Sequence, residues 1–156
     1  MSMVEAAAYA PLLALIGAVI NGFFGRALKE PAPGIIGIIT IGVGFILSLL
    51  AFFALRVMEE PSVHIPLWNY LTAGSFNLSL GFHIDSLSIV MMMIITGVGF
   101  LIHVYSVAYM HGDEGFSRHF MALNPFVAAM LVLVMADNFL LEFIGWEGVG
   151  VCSYLL

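Results

Sequence analysis

Apolar runs long enough to cross lipid take up nearly the whole chain, and no other feature restricts its fold so strongly. They lie at about residues 6–24, 34–58, 86–109, 117–136 and 138–156. A hydrocarbon core about 30 Å thick is spanned by roughly 20 helical residues. Inside it a backbone must bond to itself. The expected fold is therefore an all-α polytopic membrane protein with five transmembrane helices. Hydrophobic residues make up 62% of the chain and charged residues 9%, a balance foreign to soluble domains. Ten acids against four Lys plus Arg exclude nucleic acid as a partner. Lipid is the partner of the outer faces.

The start, Met1-Ser2-Met3-Val4-Glu5, lacks a basic stretch, so the first run should persist as a span rather than act as a cleaved signal. Ala10, Ala14, Ala18 and Gly22 line one face of it at intervals of four, which suits close helix packing in lipid. Residues 59–85 form the one substantial extramembrane connection. Within it, residues 76–84 alternate apolar with polar or small side chains, the period of a strand or half a hairpin on the membrane face. Asn124-Pro125 should kink the fourth span or open its carbonyl ladder. Arg26, Lys29 and Arg118 fall on one side and Arg56 on the other, which orients the N-terminus and the 59–85 connection outward. The sequence stops at Leu156 with no polar anchor, so residues 1–156 are expected to form the N-terminal part of a longer transmembrane domain.

Glu147 is the sharpest chemical signal. Counting about 1.5 Å per residue from Asn138 puts it roughly 14 Å into the membrane. An ionised carboxylate at that depth must pair, face a wet cavity or take up a proton. Proton transfer and a static helix-holding pair both satisfy this. Gly145, Gly148 and Gly150 either clear space around Glu147 or serve packing alone, and Trp146 is expected in the core. Glu142, five residues earlier, falls about 140° around the helix, off the face of Glu147 and nearer the outer mouth. No midplane base is present to partner either acid, so a partner is expected from outside these residues. His103 can relay protons or simply bond a helix carbonyl. Asp85 reads as a helix cap beside Ser86 and Ser88, and Asp137 as the cap of the last helix. The lone Cys152 is expected buried, and no zinc, haem or nucleotide-loop spacing occurs, so no metal or cofactor is expected in this chain.

Three stretches carry a resemblance: Gly97-Val98-Gly99-Phe100-Leu101-Ile102-His103, Gly112-Asp113-Glu114-Gly115-Phe116-Ser117-Arg118, and Ala136-Asp137-Asn138 followed by Gly145-Trp146-Glu147-Gly148-Val149-Gly150-Val151-Cys152-Ser153-Tyr154-Leu155-Leu156. Together they resemble the largest antiporter-like membrane subunits of respiratory complex I, the NADH-quinone oxidoreductase. That resemblance implies a proton-translocating translocase subunit at the far end of the membrane arm. NADH oxidation and quinone reduction occur elsewhere, with FMN, iron-sulfur clusters and quinone in partner subunits. It implies as partners the other membrane and peripheral subunits of complex I, above all adjacent antiporter-like subunits, and a bacterial inner membrane rather than a mitochondrial one. The family's fifth-helix glutamate matches Glu147 and works against lysines in later helices. Asp85 and His103 match positions of the pattern, whereas His111, Pro125 and Glu142 depart from it. The alternative is a subunit of a multisubunit cation/proton antiporter, which shares the acid–lysine logic.

Overall fold

The computed structural model describes residues 2–25, 27–58, 61–74 and 76–156. Arg26, used above to orient the bundle, and Glu59, the first residue of the outer connection, lie outside the described residues. Two short-to-long helices, α1 (Met3–Ala7) and α2 (Ala10–Phe24), share the first apolar run. The break at Ala8 and Tyr9 precedes Pro11, which cannot donate back to Ala7. Then come α3 (Ala32–Leu55), strands β1 (Ser62–Ala73) and β2 (Phe76–Asp85), and helices α4 (Ser86–Tyr109), α5 (Phe116–Met135) and α6 (Phe139–Leu155).

Among the described residues, four segments are long and apolar enough to cross a membrane: Met3–Phe24, Ala32–Leu55, Ser86–Tyr109 and Phe116–Met135. The expectation of five is corrected to four on this criterion. The last helix has 17 residues, a length of about 25 Å, and its first turn already holds Glu142.

The helices pack through narrow seams of small residues. On α3 the buried positions after Pro33 are Gly34, Gly37, Ile41, Gly44, Ser48, Ala51 and Leu55, alternating steps of three and four. That recurrence keeps one stripe facing its partner along the whole helix. On α2 the buried stripe is Ala10, Ala14, Gly17, Ala18 and Asn21, so the predicted small-residue face holds except at Gly22, which is exposed. The hydroxyls on these seams bond their own helix: Ser48 Oγ donates to the Gly44 carbonyl at 2.9 Å and Thr96 Oγ1 to that of Met92 at 2.6 Å. Helix α5 touches α2, α3, α4 and α6, which makes it the hub of the bundle. It runs unbroken through Pro125.

The connection is a two-stranded antiparallel hairpin, with Ser62 opposite Asp85 and His64 opposite His83. Its register slips beside Pro66, a residue with no N–H for the ladder. Leu80 and Ile84 of β2 are buried with Ile89 and Met92 of α4 and Met135 of α5.

Candidate functional site

Asp85 closes β2 and opens α4. Its Oδ1 accepts from the N–H groups of Leu87 at 3.1 Å and Ser88 at 2.8 Å, while Ser88 Oγ accepts from the Asp85 N–H at 2.7 Å. This is a reciprocal capping box, as the sequence predicts for the cap itself. The Ser88 amide, foremost, holds the Asp85 carboxyl below its ordinary value of 3.8. Partial burial works against it, and the Ser88 hydroxyl, the His83 charge and the Leu87 amide assist.

The cap of the last helix is Asn138, not Asp137. Asn138 Oδ1 accepts from the N–H groups of Leu140 and Leu141, each at 3.1 Å. Asp137 has other work: its Oδ1 takes the Gly81 N–H at 3.0 Å and its Oδ2 lies 2.9 Å from His64 Nε2. The Asp137 N–H donates to the Gly81 carbonyl at 3.1 Å, and Asn138 Nδ2 to that of Ser79 at 2.8 Å. A Cβ on Gly81 would stand 2.5 Å from Asp137 Oδ2, so only glycine lets the hairpin come this close. Neighbouring acids thus divide two jobs that sequence spacing could not separate.

Asp85, His83, Ser88 and Glu142 line one cavity of about 350 Å³ between the hairpin, α4 and the start of α6. Glu142 also lines the next one, an open groove of about 420 Å³ along α6 with Phe139, Phe143, Trp146 and Glu147. Glu142 and Glu147 line this groove from its two edges, with about 140° of helix between them. Trp146 belongs to that outward groove and is 67% exposed in this chain, contrary to the core position expected for it. The reason lies on the opposite side of α6, where Gly145 and Gly148 meet α5. Added Cβ atoms there would stand 2.7 Å from the Leu133 amide nitrogen and 3.0 Å from the Ala129 methyl. These two glycines therefore serve helix packing, and Gly150 faces open space. Cys152 is buried as expected.

His103 stands apart from the acids, fully buried. Its Nδ1 is 2.8 Å from the Gly99 carbonyl and its Nε2 is 3.1 Å from Asn124 Oδ1. Asn124, also fully buried, donates through Nδ2 to the Ala14 carbonyl at 3.2 Å and to Thr40 Oγ1 at 2.9 Å. One polar network therefore ties α2, α3, α4 and α5. Sequence reading missed Asn124 and Thr40 as members; the only signal was an amide directly before Pro125 in an apolar helix. Gly37 makes room for the network, since a Cβ there would lie 2.9 Å from His103 Cδ2 and 3.0 Å from Asn124 Oδ1.

On the opposite rim, Glu30 Oε2 accepts from the Gly112 N–H at 3.1 Å and meets His111 Nδ1 at 3.1 Å. Ser117 Oγ donates to the Gly25 carbonyl at 2.7 Å. Among the described residues, no cluster of three or more His, Cys, Asp or Glu could hold a metal ion.

Residues 68–120 match the family described as NADH-Ubiquinone oxidoreductase (complex I), chain 5 N-terminus. Over 145 residues, 93% of the chain, 42% are identical to NADH-quinone oxidoreductase subunit L of Escherichia coli (strain K12), and the match covers 24% of that protein. The same subunit of Pseudomonas aeruginosa is 37% identical over 147 residues and 24% of its length. NADH-ubiquinone oxidoreductase chain 5 of the fungus Hypocrea jecorina is 39% identical over 145 residues and 21% of its length. The chain thus spans under a quarter of the length of these relatives. The fungal chain 5 overturns the expected preference for a bacterial over a mitochondrial inner membrane. Its 39% identity stands between the 42% and 37% of the two bacterial proteins, so similarity does not separate the compartments.

Proposed function

Because this chain belongs to the antiporter-like membrane-arm family of NADH-quinone oxidoreductase subunit L and chain 5, we propose that it carries protons through the membrane arm of a complex whose redox chemistry lies elsewhere. In this reading Glu147 is the group that gains and loses the proton, and α6 is the fifth membrane span. Flavin, iron-sulfur clusters and quinone belong to partner subunits, and the outward stripe of α6 meets later helices or a neighbouring antiporter-like subunit that supplies a lysine.

One observation carries this reading: Asp85, Glu142 and Glu147 line two adjoining cavities that share Glu142 and lead from the hairpin face along α6. Glu142 and Glu147 are about 7.5 Å apart along the axis, a step that one or two waters can bridge. A carboxylate beside Phe139, Phe143 and Trp146 is weakly solvated once the stripe is covered, so its charge depends on a partner's charge. That dependence is what turns a movement of charge into uptake or release of a proton. Asp85, held ionised by its capping amides, fixes the outer end of the series and is itself a poor carrier. His103 assists from a separate buried network.

The test is Glu147→Gln in the full-length subunit, assembled in its complex and sealed in vesicles, with electron transfer and proton uptake measured together. Proton uptake per electron should fall while the complex still assembles. Unchanged coupling would overturn the role of Glu147. Flavin and iron-sulfur chains that co-purify with the subunit distinguish the respiratory pump from a cation/proton antiporter.

A further inference from the structure

The surroundings of His103 contain more acceptors than a neutral imidazole can satisfy. Thr40 Oγ1 lies 3.0 Å from the carbonyls of both Ile36 and Gly37, so its single hydrogen points to its own helix and its lone pair faces Asn124. The Ala14 carbonyl on the other side is likewise an acceptor. Both neighbours demand amide N–H, which fixes Nδ2 toward α2 and α3 and leaves Oδ1 against His103 Nε2. The other ring nitrogen faces the Gly99 carbonyl. Two acceptors therefore oppose two ring nitrogens, and only the doubly protonated ring bonds both.

The geometry points to Asn124 as a positioning residue that lets His103 hold and release a proton within the bundle, by inverting its side-chain amide as the ring changes charge. The inference rests on His103 taking part in proton movement, and it adds the partner that makes this possible. In the charged state, Nε2–H donates to Asn124 Oδ1 and Nδ1–H to the Gly99 carbonyl. When the proton passes from Nε2 to a water molecule that enters the cavity of about 220 Å³ lined by His103, the N–H bond breaks, its electron pair remains on the ring, and the water leaves as hydronium. The Asn124 amide then turns so that Nδ2 donates to Nε2 and Oδ1 accepts the Thr40 hydroxyl hydrogen. Nδ1–H stays on Gly99, while the Ala14 carbonyl gives up the amide hydrogen and the Ile36 and Gly37 carbonyls give up the Thr40 hydroxyl hydrogen; all three are helix carbonyls. Each charge state thus leaves both ring nitrogens of His103 hydrogen-bonded, which a buried polar group needs.

Few other charges bear on the ring. Helices α2 and α3 carry no ionisable side chain within Ala10–Phe24 and Ala32–Leu55, and they present Ala14, Gly17, Gly37 and Thr40. Helix α5 contributes Asn124, Phe120 and, beyond the Phe120 ring, His119. Phe120 lies between the two imidazoles, with centroids 6.0 Å from His103 and 5.5 Å from His119. His119 Nε2 is buried and has no hydrogen-bond partner among the described residues. It is the titratable neighbour through which charge at the inner turn reaches His103.

The test uses the full subunit in its assembled membrane complex, labelled with ¹⁵N-histidine, ¹⁵N-asparagine and ¹³C-carbonyl glycine for solid-state NMR. The His103 ring is selected in the wild type by its 2.8 Å contact with the Gly99 carbonyl, so no variant is required for assignment. On raising the pH, the ring should pass from two protonated nitrogens to one, and the Nε2–Asn124 Nδ2 separation should shorten to hydrogen-bond length in the same step. Asn124→Asp offers only acceptors and should keep the ring doubly protonated to a pH higher by about 1–3 units. A wild-type ring that never converts, or converts with Asn124 fixed, overturns the inference even if Asn124→Asp does not assemble. Glu147→Gln should leave this conversion intact, so loss of coupling at Glu147 and loss of the switch at Asn124 are read separately.

Discussion

At the scale of single residues, two substitutions separate charge from space. Asp85→Ala removes the capping oxygen and should cost about 1 kcal/mol of stability, measured by thermal unfolding in detergent. Asp85→Asn keeps a capping oxygen and should cost less. It should also abolish an acid step, whose sign follows from linkage. The folded carboxyl titrates below its ordinary 3.8, so its ionised form contributes stability above that value. The contribution is lost as pH falls through the lowered folded value, and the native chain but not Asp85→Asn should show it. Gly37→Ala tests space alone: its methyl would crowd His103 and Asn124 together, at an expected cost of about 1–3 kcal/mol. A thermal midpoint equal to the native one would show that the network tolerates displacement.

At the scale of elements, the hairpin and the start of α6 form one unit through Asp137 and Asn138. Asp137→Ala breaks the Gly81 and His64 contacts and should raise amide hydrogen exchange across residues 62–85 several-fold, leaving the centre of α4 unchanged. Equal exchange in both chains would rule out the clasp. Asn138→Ala should instead fray α6 at about 1 kcal/mol. Most elements were legible in advance because their signals are local. The bounds of α4 follow from Asp85 before an apolar run, and β2 follows from alternation at residues 76–84. What was not legible depended on partners far along the chain. Asp137 and Asn138 look equally suited to cap a helix, and only the arrival of Gly81, 56 residues away, assigns the first to the hairpin. The polar network was hidden for the same reason: Asn124, Thr40 and Ala14 lie on three helices, and nothing in their spacing links them. The stripe of α6 was misjudged at Trp146 because apolar character cannot tell a face turned to α5 from one turned away.

At the scale of the whole molecule, the bundle keeps an apolar core and differs from a soluble protein at its surface. His103, Asn124, Ser48 and Thr96 are buried, whereas Leu12, Val19, Phe23, Ile39, Phe53 and Leu101 face outward. Lipid removes the usual penalty for apolar surface, and small residues at the seams supply contact instead. The hairpin, Arg56 and the α5–α6 turn share one rim; Lys29, Glu30, His111 and Arg118 share the other. The bases at Lys29 and Arg118 orient the second rim inward. A reporter fused after Tyr70 should therefore read as external in the full-length protein, and a cytoplasmic signal would reverse the orientation.

The two rims are laced unequally. Between Gly25 and Ser117, and between Glu30 and Gly112, side chains stitch the inner ends of the first four spans together. At the outer rim, Asp137 and Asn138 tie the start of α6 to the hairpin, and α6 lies along α5 on Gly145 and Gly148. A push on the acidic side of α6 is therefore felt as torque at the clasp, and the hairpin must either resist or turn with it.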